Sequence, residues 1–456
     1  MREKHKRVSR RRLLKTAGLG AAAAADLAAS ALAQVPRNDT APFDRRPWWV
    51  QTVDRPALGE TNAEFQRFAG PNIFGLYRQL KDERDGAGAS QAQQEAKRAR
   101  IGKWIRERKL DFGLRDRQLL EAAWTVNRSA RTGTGLLSWT RLRTPAPEEL
   151  GVEPYAASPQ EAASTVKAAA RLFGAALVGI APMNENYINR KEDGKDIVFE
   201  DVDVPAVTEK KYVIPKKMKW VVAIAIQMDL DLIGRSPTAL GNAADSLGYS
   251  QCAFTVATLA EFIRGLGYQA IPSVNDTAQS VPFAVDAGLG ELGRLNRLVT
   301  PEYGPAVRLC KVFTDLPMAY DKPIDFGLPE FCTRCKRCAL ACPADALSFA
   351  EEPSYKVRGP WNNPGHKAWF EDAYRCFQYW QEVTTGCGIC LAACPWTQNA
   401  HTWAYKVIRA TPPWPMPPLY SVAAGPFGYL TQPEADDWWD RDLPPLGIDQ
   451  RRRGGR

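Results

Sequence analysis

The sequence predicts an α+β body followed by a small cysteine-rich unit. Hydrophobic residues make up 45% of the 456 residues and charged residues 24%, which excludes disordered, collagen-like and coiled-coil chains. Helical and strand patterns alternate through the middle of the chain, which is typical of helices packed around a sheet. The predicted elements are a helix at 159–173, strands at 175–180 and 220–228, a helix at 250–266 and a strand from 268.

The first 33 residues have the pattern of an export signal. Residues 9–15 fit the twin-arginine pattern, an apolar alanine-rich stretch follows, and this stretch closes on the small-residue cleavage pattern Ala31-Leu32-Ala33. The alternative is a basic amphipathic helix that the protein retains, although Asp26 argues against a retained membrane span. The twin-arginine route carries folded proteins, so this pattern also indicates a cofactor inserted before export.

The net charge of +9 is concentrated at the two ends of the chain. Residues 1–33 carry a net charge of +6 and residues 451–456 carry +4, so the rest of the chain is near −1. A folded body without net positive charge lacks the electrostatic attraction on which nucleic-acid binding depends. We therefore expect no nucleic-acid partner.

Composition divides the remaining chain into four parts. They are an N-terminal arm and helical unit at 34–150, a core at 151–327, a cysteine-rich unit at 328–400 and a Trp/Pro-rich tail at 401–456 that we expect to pack on the core. A Gly-Leu-Gly segment at 288–290 resembles the start of a dinucleotide loop. It follows a helical segment and opens no βαβ unit, so we interpret it as a backbone turn.

The spacing of eight cysteines predicts two [4Fe–4S] clusters. One C-x2-C-x2-C-x3-C-P run begins at Cys332, and a second run, with its first spacing lengthened to ten residues, begins at Cys376. In paired runs of this kind, the cysteine after the three-residue gap ligates the other cluster. Cluster one is therefore assigned to Cys332, Cys335, Cys338 and Cys394, and cluster two to Cys342, Cys376, Cys387 and Cys390.

A zinc site and a disulfide network are the alternatives for these cysteines. The repetition of the run, each time ending in Cys-Pro, disfavours zinc. Disulfides are disfavoured because cysteines separated by two residues rarely pair with each other. Cys252 and Cys310 lie outside both runs and are expected to be buried and unreactive.

With these parts in this order, the chain resembles the corrinoid-dependent reductive dehalogenases. The resemblance rests on the export signal, the two cysteine runs and three segments between them: Asn-Asp-Thr-Ala-Gln-Ser at 275–280, Gly-Leu-Gly-Glu at 288–291 and Val-Phe-Thr-Asp-Leu-Pro at 312–317. It implies a nitroreductase-like core that binds cobalamin in the base-off state, with the two clusters passing electrons to it. It also implies a halogenated organic substrate, a small integral membrane anchor protein and an upstream electron donor of a respiratory chain.

The same resemblance implies the residues of a catalytic site, which are matched by local context. Tyr249 would donate a proton, Arg308 and Asn275 would lie near it, and Trp380 would flank the cofactor. A guanidinium next to a phenol is expected to lower the phenol's pKa. Without the family, Tyr249 would be interpreted as a packed core tyrosine and Arg308 as part of a surface ion pair.

Two other functions remain open at this point. An exported electron-transfer subunit would carry two clusters and no corrinoid. An enzyme like epoxyqueuosine reductase would share the core and the clusters, but it acts on tRNA in the cytoplasm, which the export signal and the near-neutral body disfavour. For a reductive dehalogenase, the signal predicts export by the twin-arginine route and a peripheral position on the outer face of the cytoplasmic membrane.

Overall fold

The computed structural model describes residue 46 and residues 50–58, 73–397, 438–440 and 446. The predicted export signal, most of the N-terminal arm and most of the C-terminal tail lie outside the described residues.

Helices of the described chain cluster in three regions: before the core, within it, and in the cysteine-rich unit. In chain order they are α1 (Ile73–Asp85), α2 (Ala89–Arg106), α3 (Leu114–Ala123), α4 (Thr125–Ser129), α5 (Pro159–Leu172), α6 (Leu230–Ile233), α7 (Ala239–Gly265), α8 (Ser280–Asp286), α9 (Leu328–Cys335), α10 (Arg337–Leu340), α11 (Ala373–Glu382) and α12 (Ile389–Ala392).

Strands of the described chain belong mainly to two four-stranded sheets. In chain order they are β1 (Gln51–Thr52), β2 (Thr132–Gly133), β3 (Leu137–Ser138), β4 (Leu177–Pro182), β5 (Lys191–Glu192), β6 (Lys195–Glu200), β7 (Ala206–Val207), β8 (Lys211–Pro215), β9 (Trp220–Gln227), β10 (Ala270–Ser273), β11 (Glu291–Leu292), β12 (Leu298–Val299), β13 (Val307–Thr314) and β14 (Ile324–Asp325).

An antiparallel sheet of order β10-β13-β9-β4 forms the centre of the core. Strands β9 and β13 pair along their whole length, from Trp220 opposite Thr314 to Gln227 opposite Val307. The interior of β9 is a continuous buried run of valine, isoleucine and alanine, as expected of a strand covered on both faces. The α+β class predicted from the sequence is confirmed, and every pairing in this central sheet is antiparallel.

Different helices cover the two faces of the central sheet. Because side chains alternate along a strand, Ile224 of β9 packs in one cluster with Val256 of α7. Its neighbour Ala223 packs in another cluster with Phe283 of α8. The second sheet, of order β5-β6-β8-β7, joins this latter cluster through Ile197. Helices α7 and α8 therefore hold the sheet between them.

Helix α7 is longer than the sequence predicted. It begins at Ala239, where the side chain of Thr238 accepts a hydrogen bond from the Gly241 backbone N–H, rather than at residue 250. The extra turns were masked by small and polar residues, since Gly241 and Gly248 weaken a helical pattern. A Cβ on Gly248 would lie 2.9 Å from Arg308 Cγ, so the glycine is needed for close packing. No helix of the described chain has both the length and the apolar character to cross a bilayer.

The cysteine-rich unit packs against one end of the core through aromatic residues. Trp396 meets Phe326 edge-on at 5.0 Å between ring centroids, and it meets Phe331 at 5.9 Å. The described part of the C-terminal tail lies on the helical unit, where Trp439 Nε1 donates to Asp116 Oδ1 at 2.8 Å and Trp438 is buried. Contacts of this kind join all the described regions into one body.

Replacing Gly179 with alanine tests the packing of the sheet against α8. A Cβ at this buried position of β4 would overlap the backbone carbonyl oxygen of Ala287. We expect Gly179→Ala to lower the free energy of unfolding by about 2–3 kcal/mol, as overpacking does, measured by urea denaturation. Gly75→Ala in α1 is the control: its Cβ meets nothing within 4 Å, so stability should stay unchanged or rise. Equal effects in the two variants would contradict the packing described.

Candidate active site

The four cysteines assigned to cluster one line a single cavity. Their neighbours in its wall are Leu295, Val299, Phe331 and Trp396, together with Arg294. Helix α9 supplies Cys332 and ends at Cys335. The next residue, Lys336, has a left-handed φ of 48° and turns the chain directly into α10, which carries Cys338. The structure thus brings Cys332, Cys335, Cys338 and Cys394 together, as the spacing predicted.

The cysteines assigned to cluster two also lie close to one another. Cys376 projects from α11, while Cys387 and Cys390 lie at the start of α12. Cys390 and Cys342 interact electrostatically with each other, and Cys387 interacts with both of them. Cys376 interacts with Cys387 and Cys390. Ligation itself remains a prediction, and the arrangement is the one that a cubane bridging both runs requires.

The part of the chain that the structure describes gives no candidate for a single-ion site: no group of three or more His, Cys, Asp or Glu side chains there could hold one metal ion.

The loop before the cysteine-rich unit supports the cluster-one helix. Glu291 Oε2 accepts hydrogen bonds from the backbone N–H groups of Phe326 at 2.9 Å and Leu328 at 3.2 Å, at the start of α9. Gly288 has a φ of +71°, and a Cβ there or on Gly290 would overlap a backbone carbonyl. Both glycines are therefore needed where two backbone segments pack closely, which agrees with the backbone turn predicted from the sequence.

Tyr249, Asn275 and Arg308 meet at one end of the central sheet. Asn275 Nδ2 donates a hydrogen bond to the Tyr249 hydroxyl at 2.9 Å. The Arg308 guanidinium lies over the Tyr249 ring, 4.8 Å from its centroid, and it forms an ion pair with Asp245. Asn275 is exposed and Tyr249 is partly exposed, so this group borders open space. The hydroxyl accepts from Asn275 and keeps its own hydrogen for another acceptor.

Two residues around Tyr249 were not predicted from the sequence: Asp245, which pairs with Arg308, and Trp124. Asp245 lies four residues before Tyr249 on α7, so both project from one helix face; the i, i+4 spacing was the available signal. Trp124 stacks on Tyr249 with ring centroids 5.2 Å apart and an interplanar angle of 18°. No sequence pattern marks that contact, because it joins two distant helical segments. The next residue, Ser250, secures it by donating to the Ala123 carbonyl at 2.6 Å.

Burial raises the pKa of the Tyr249 phenol above its usual value of 10.0, and the hydrogen bond from Asn275 offsets part of this rise. The direction is opposite to the one expected from the sequence. Arg308 lies over the ring face rather than at the hydroxyl, and its charge is balanced by Asp245. Tyr249 is consequently a fully protonated phenol at neutral pH.

A buried ammonium fixes the loop that carries Asn275. Lys311 Nζ donates to the carbonyl oxygens of Val274 at 2.8 Å and Asp276 at 3.1 Å, on either side of Asn275, and to Ser280 Oγ at 3.0 Å. Lys311 is 1% exposed, and burial lowers its pKa to about 8. The rigid loop holds the amide of Asn275 against the Tyr249 hydroxyl.

Trp380 lies in a different environment from the other predicted site residues. It packs beside Phe377 on α11, with ring centroids 5.5 Å apart, in an aromatic cluster that also includes Tyr77 of α1. Its buried Nε1 has no hydrogen-bond partner among the described residues. This aromatic cluster does not include Tyr249. The role of Trp380 beside a cofactor therefore stays a prediction.

Cluster two lies on the Tyr249 side of the cysteine-rich unit. Both Arg308 and Arg297 interact electrostatically with Cys390, and Arg297 also acts on Tyr249. Arg294 instead interacts with the cluster-one cysteines Cys332, Cys335 and Cys338. Arg297 and Arg308 therefore link the surroundings of Tyr249 to a cluster-two cysteine, and Arg294 lies beside the cluster-one set.

Replacing one cysteine should distinguish the ligands of cluster one from those of cluster two. Cys335→Ala removes a predicted ligand of cluster one, so we expect the iron content to fall by about half and one of two cluster signals to disappear from the EPR spectrum. Cys252→Ala is the control, because Cys252 lies on α7, is fully buried in the core and belongs to neither cysteine run. Two intact clusters in Cys335→Ala would overturn the ligand assignment.

Removing the ammonium of Lys311 should destabilise the Asn275 loop. Lys311→Met keeps the length of the side chain and removes one donor from each of three acceptors, of which the Val274 and Asp276 carbonyls keep only a serine hydroxyl, so the free energy of unfolding should fall by about 1–3 kcal/mol. Urea denaturation of the reconstituted protein measures this. The control is Lys322→Met, which removes an exposed lysine paired with Asp54; no measurable change is expected there. Equal losses would contradict a structural role for Lys311.

Comparison with known proteins agrees with this arrangement. A family model described as reductive dehalogenase subunit matches residues 190–318, and a model described as 4Fe-4S double cluster binding domain matches residues 331–397. The second match identifies the cysteine-rich unit as a domain for two [4Fe–4S] clusters.

Relatives and solved structures extend this similarity. The tetrachloroethene reductive dehalogenase of Sulfurospirillum multivorans is 36% identical over 65% of this chain and 62% of the relative. That of Desulfitobacterium hafniense strain Y51 is 34% identical over 70% and 61%. The chain thus spans about three fifths of the length of these relatives. A solved reductive dehalogenase, described as suggesting a mechanism for B12-dependent dehalogenation, shares the fold at a TM-score of 0.58 and 23% identity over 87% of this chain and 55% of that one. The chain belongs to the reductive dehalogenase family.

Proposed function

We propose that this protein reduces a carbon–halogen bond of a halogenated organic compound to a carbon–hydrogen bond and releases halide. The observation that carries the proposal is a hydrogen-bonded tyrosine beside an arginine that also acts on Cys390 of the double-cluster domain. The reaction consumes two electrons and one proton. The cysteine sets account for the electrons, and Tyr249 accounts for the proton. The relatives named above act on tetrachloroethene, and this chain's substrate belongs to the same class of halogenated compounds.

A corrinoid is the cofactor that this site fits. A base-off cobalamin supplies a strongly reducing cobalt centre, which is the chemistry that carbon–halogen reduction needs. Two buried donors, Arg308 Nε and Trp380 Nε1, have no hydrogen-bond partner among the described residues. Because a buried donor without a partner is costly, each of these atoms fits a place that is completed by a bound polar group. Arg308 and the exposed amide of Asn275, which both adjoin Tyr249, are the residues that would hold the cofactor. The proposal that Trp380 flanks it rests on the family resemblance.

The two cysteine sets would hold [4Fe–4S] clusters, which would supply electrons one at a time to the site beside Tyr249. Cys390 of the cluster-two set supports this, since it lies within electrostatic reach of both Arg308 and Arg297. Leu295, Phe331 and Trp396 line the cavity of the cluster-one cysteines and would keep water away from that cluster.

Tyr249 is suited to deliver the proton. Its raised pKa keeps the phenol protonated at neutral pH, and Asn275 fixes the oxygen while leaving the O–H free to donate. After donation, the phenolate would be stabilised by the Asn275 hydrogen bond and by the Arg308 guanidinium over the ring. Arg308 therefore acts on the product of proton transfer rather than on the resting phenol.

The location and partners of the enzyme are proposed from the sequence. The twin-arginine pattern at residues 9–15 supports export and a peripheral position on the outer face of the cytoplasmic membrane. The family resemblance supports a small integral membrane anchor protein and an upstream respiratory electron donor. The near-neutral charge between residues 33 and 451 supports the absence of a nucleic-acid partner.

Tyr249→Phe tests the proton donor. The variant keeps the ring that stacks on Trp124 and removes only the acidic hydroxyl, so turnover should fall about 100-fold or more while iron and cobalt contents stay unchanged. Halide release under anaerobic conditions measures this, with tetrachloroethene among the halogenated compounds assayed.

Tyr268→Phe is the matched control for that experiment. Its hydroxyl donates to the Tyr155 carbonyl at 2.8 Å, away from the site, so this variant should keep its turnover. If Tyr249→Phe released halide at the rate of Tyr268→Phe, Tyr249 would be removed from the mechanism.

A further inference from the structure

Arg294 is a fully buried arginine at the wall of the cluster-one cavity. It follows β11, is 1% exposed and is among the largest fully buried side chains of the described chain. Its guanidinium lies over the ring of Trp369, 4.7 Å from the centroid. Neither the sequence pattern nor the family resemblance singled it out.

Backbone carbonyl oxygens accept all the side-chain hydrogen bonds of Arg294. Nε donates to the Cys332 carbonyl at 2.8 Å, and Nη1 donates to those of Ser348 at 2.8 Å and Ala350 at 2.6 Å. Nη2 donates to the carbonyls of Thr333 at 3.3 Å and Glu351 at 3.4 Å. Carbonyls satisfy the donors of a guanidinium but leave its positive charge uncompensated.

The charge of Arg294 faces the cysteines assigned to cluster one. It interacts electrostatically with Cys332, Cys338 and Cys335, and its own backbone N–H lies 3.5 Å from Cys332 Sγ. Burial lowers its pKa, yet a guanidinium remains protonated in proteins. A permanent cation is therefore held in a water-excluded wall next to the sulfurs.

Arg297, the corresponding cation near cluster two, is placed differently. It donates to Glu371 Oε1 at 2.8 Å, and its side chain is 41% exposed. The carboxylate and the solvent both reduce the field that Arg297 exerts on the neighbouring sulfurs. Arg294 is not hydrogen-bonded to a carboxylate in this way: the exposed Glu352 acts on it only at longer range.

A buried cation with no carboxylate in hydrogen-bonding contact is costly unless another anion close by stabilises it. A [4Fe–4S] cluster with four thiolates is such an anion, and it becomes more negative when it accepts an electron. The attraction to a fixed cation is thus stronger in the reduced state than in the oxidised state. Net charge and hydrogen bonds to sulfur are known determinants of cluster potentials.

We propose that the charge of Arg294 raises the reduction potential of cluster one. Arg294 is a positioning and tuning residue: it ties the Cys332 segment to the loop at 348–351 and makes cluster one easier to reduce by an incoming electron. The inference rests on the two clusters of the proposed function. It requires neither substrate turnover nor a bound corrinoid.

Redox titration of the purified full chain, reconstituted with iron and sulfide and followed by EPR, tests the proposal. In Arg294→Gln the charge is lost, and the ratio of reduced to oxidised cluster one at a fixed potential should fall about tenfold, which corresponds to about 59 mV for a one-electron couple. Arg294→Lys keeps the charge and should stay within about twofold of the wild-type ratio. Cluster two serves as the internal reference in each sample.

Arg358→Gln is the matched control on the same unit. Arg358 also donates to a backbone carbonyl, that of Ala346 at 3.2 Å, but it is exposed. Its removal should leave both potentials unchanged, because solvent screens the charge.

Two results would overturn the proposal. One is a wild-type ratio for cluster one in Arg294→Gln, and the other is a tenfold fall in Arg294→Lys. If Arg294→Gln does not assemble cluster one, Arg294→Lys alone tests the proposal. A wild-type ratio of reduced to oxidised cluster one in Arg294→Lys would then support it, and a tenfold fall would overturn it. A wild-type chain that forms no clusters would instead refute the proposed function, so the two failures are distinguishable.

Discussion

Pairing between β9 and β13 is the constraint on which the candidate site depends. Strand β13 places Arg308 over the ring of Tyr249 on α7. Three residues later, on the opposite face of the strand, Lys311 contacts the loop that carries Asn275. Both partners of the Tyr249 phenol are thus set by the register of one strand. A shift of one residue would exchange the faces of Arg308 and Lys311 and remove both contacts. The buried alternation of β9 and β13 fixes that register.

Cations beside the redox groups differ in how their charge is compensated. Arg308 is paired with Asp245 and Arg297 with Glu371, whereas Arg294 is bonded to carbonyls. The paired arginines lie toward Tyr249, where a neutral surrounding keeps the phenol protonated until it is used. The carbonyl-bonded arginine lies toward cluster one, where a positive charge favours arrival of an electron. The charge of the surroundings therefore differs between the cluster-one cysteines and Tyr249.

The sequence predicted features that depend on local spacing and missed those that depend on register. The cysteine runs predicted the grouping of Cys332, Cys335 and Cys338, because ligand spacing in a tight loop is a local property, and the known exchange of the last cysteine between paired runs added Cys394. The apolar run of β9 was equally visible. The ion pair of Arg308 with Asp245 and the stacking of Trp124 were not, since they join segments far apart in the chain. The direction of the Tyr249 pKa was wrong for the same reason: burial is a tertiary property.

The proposed enzyme passes electrons from iron–sulfur clusters to a corrinoid, whose reduction chemistry removes halide. Counting electrons and halide in one anaerobic experiment tests this proposal, on protein reconstituted with iron, sulfide and cobalamin and given a reduced donor and a halogenated compound. We expect bound cobalt and one halide released for every two electrons consumed. Protein that assembles both clusters and binds cobalt, yet consumes electrons without releasing halide from any compound of a chlorinated and brominated panel, would contradict it.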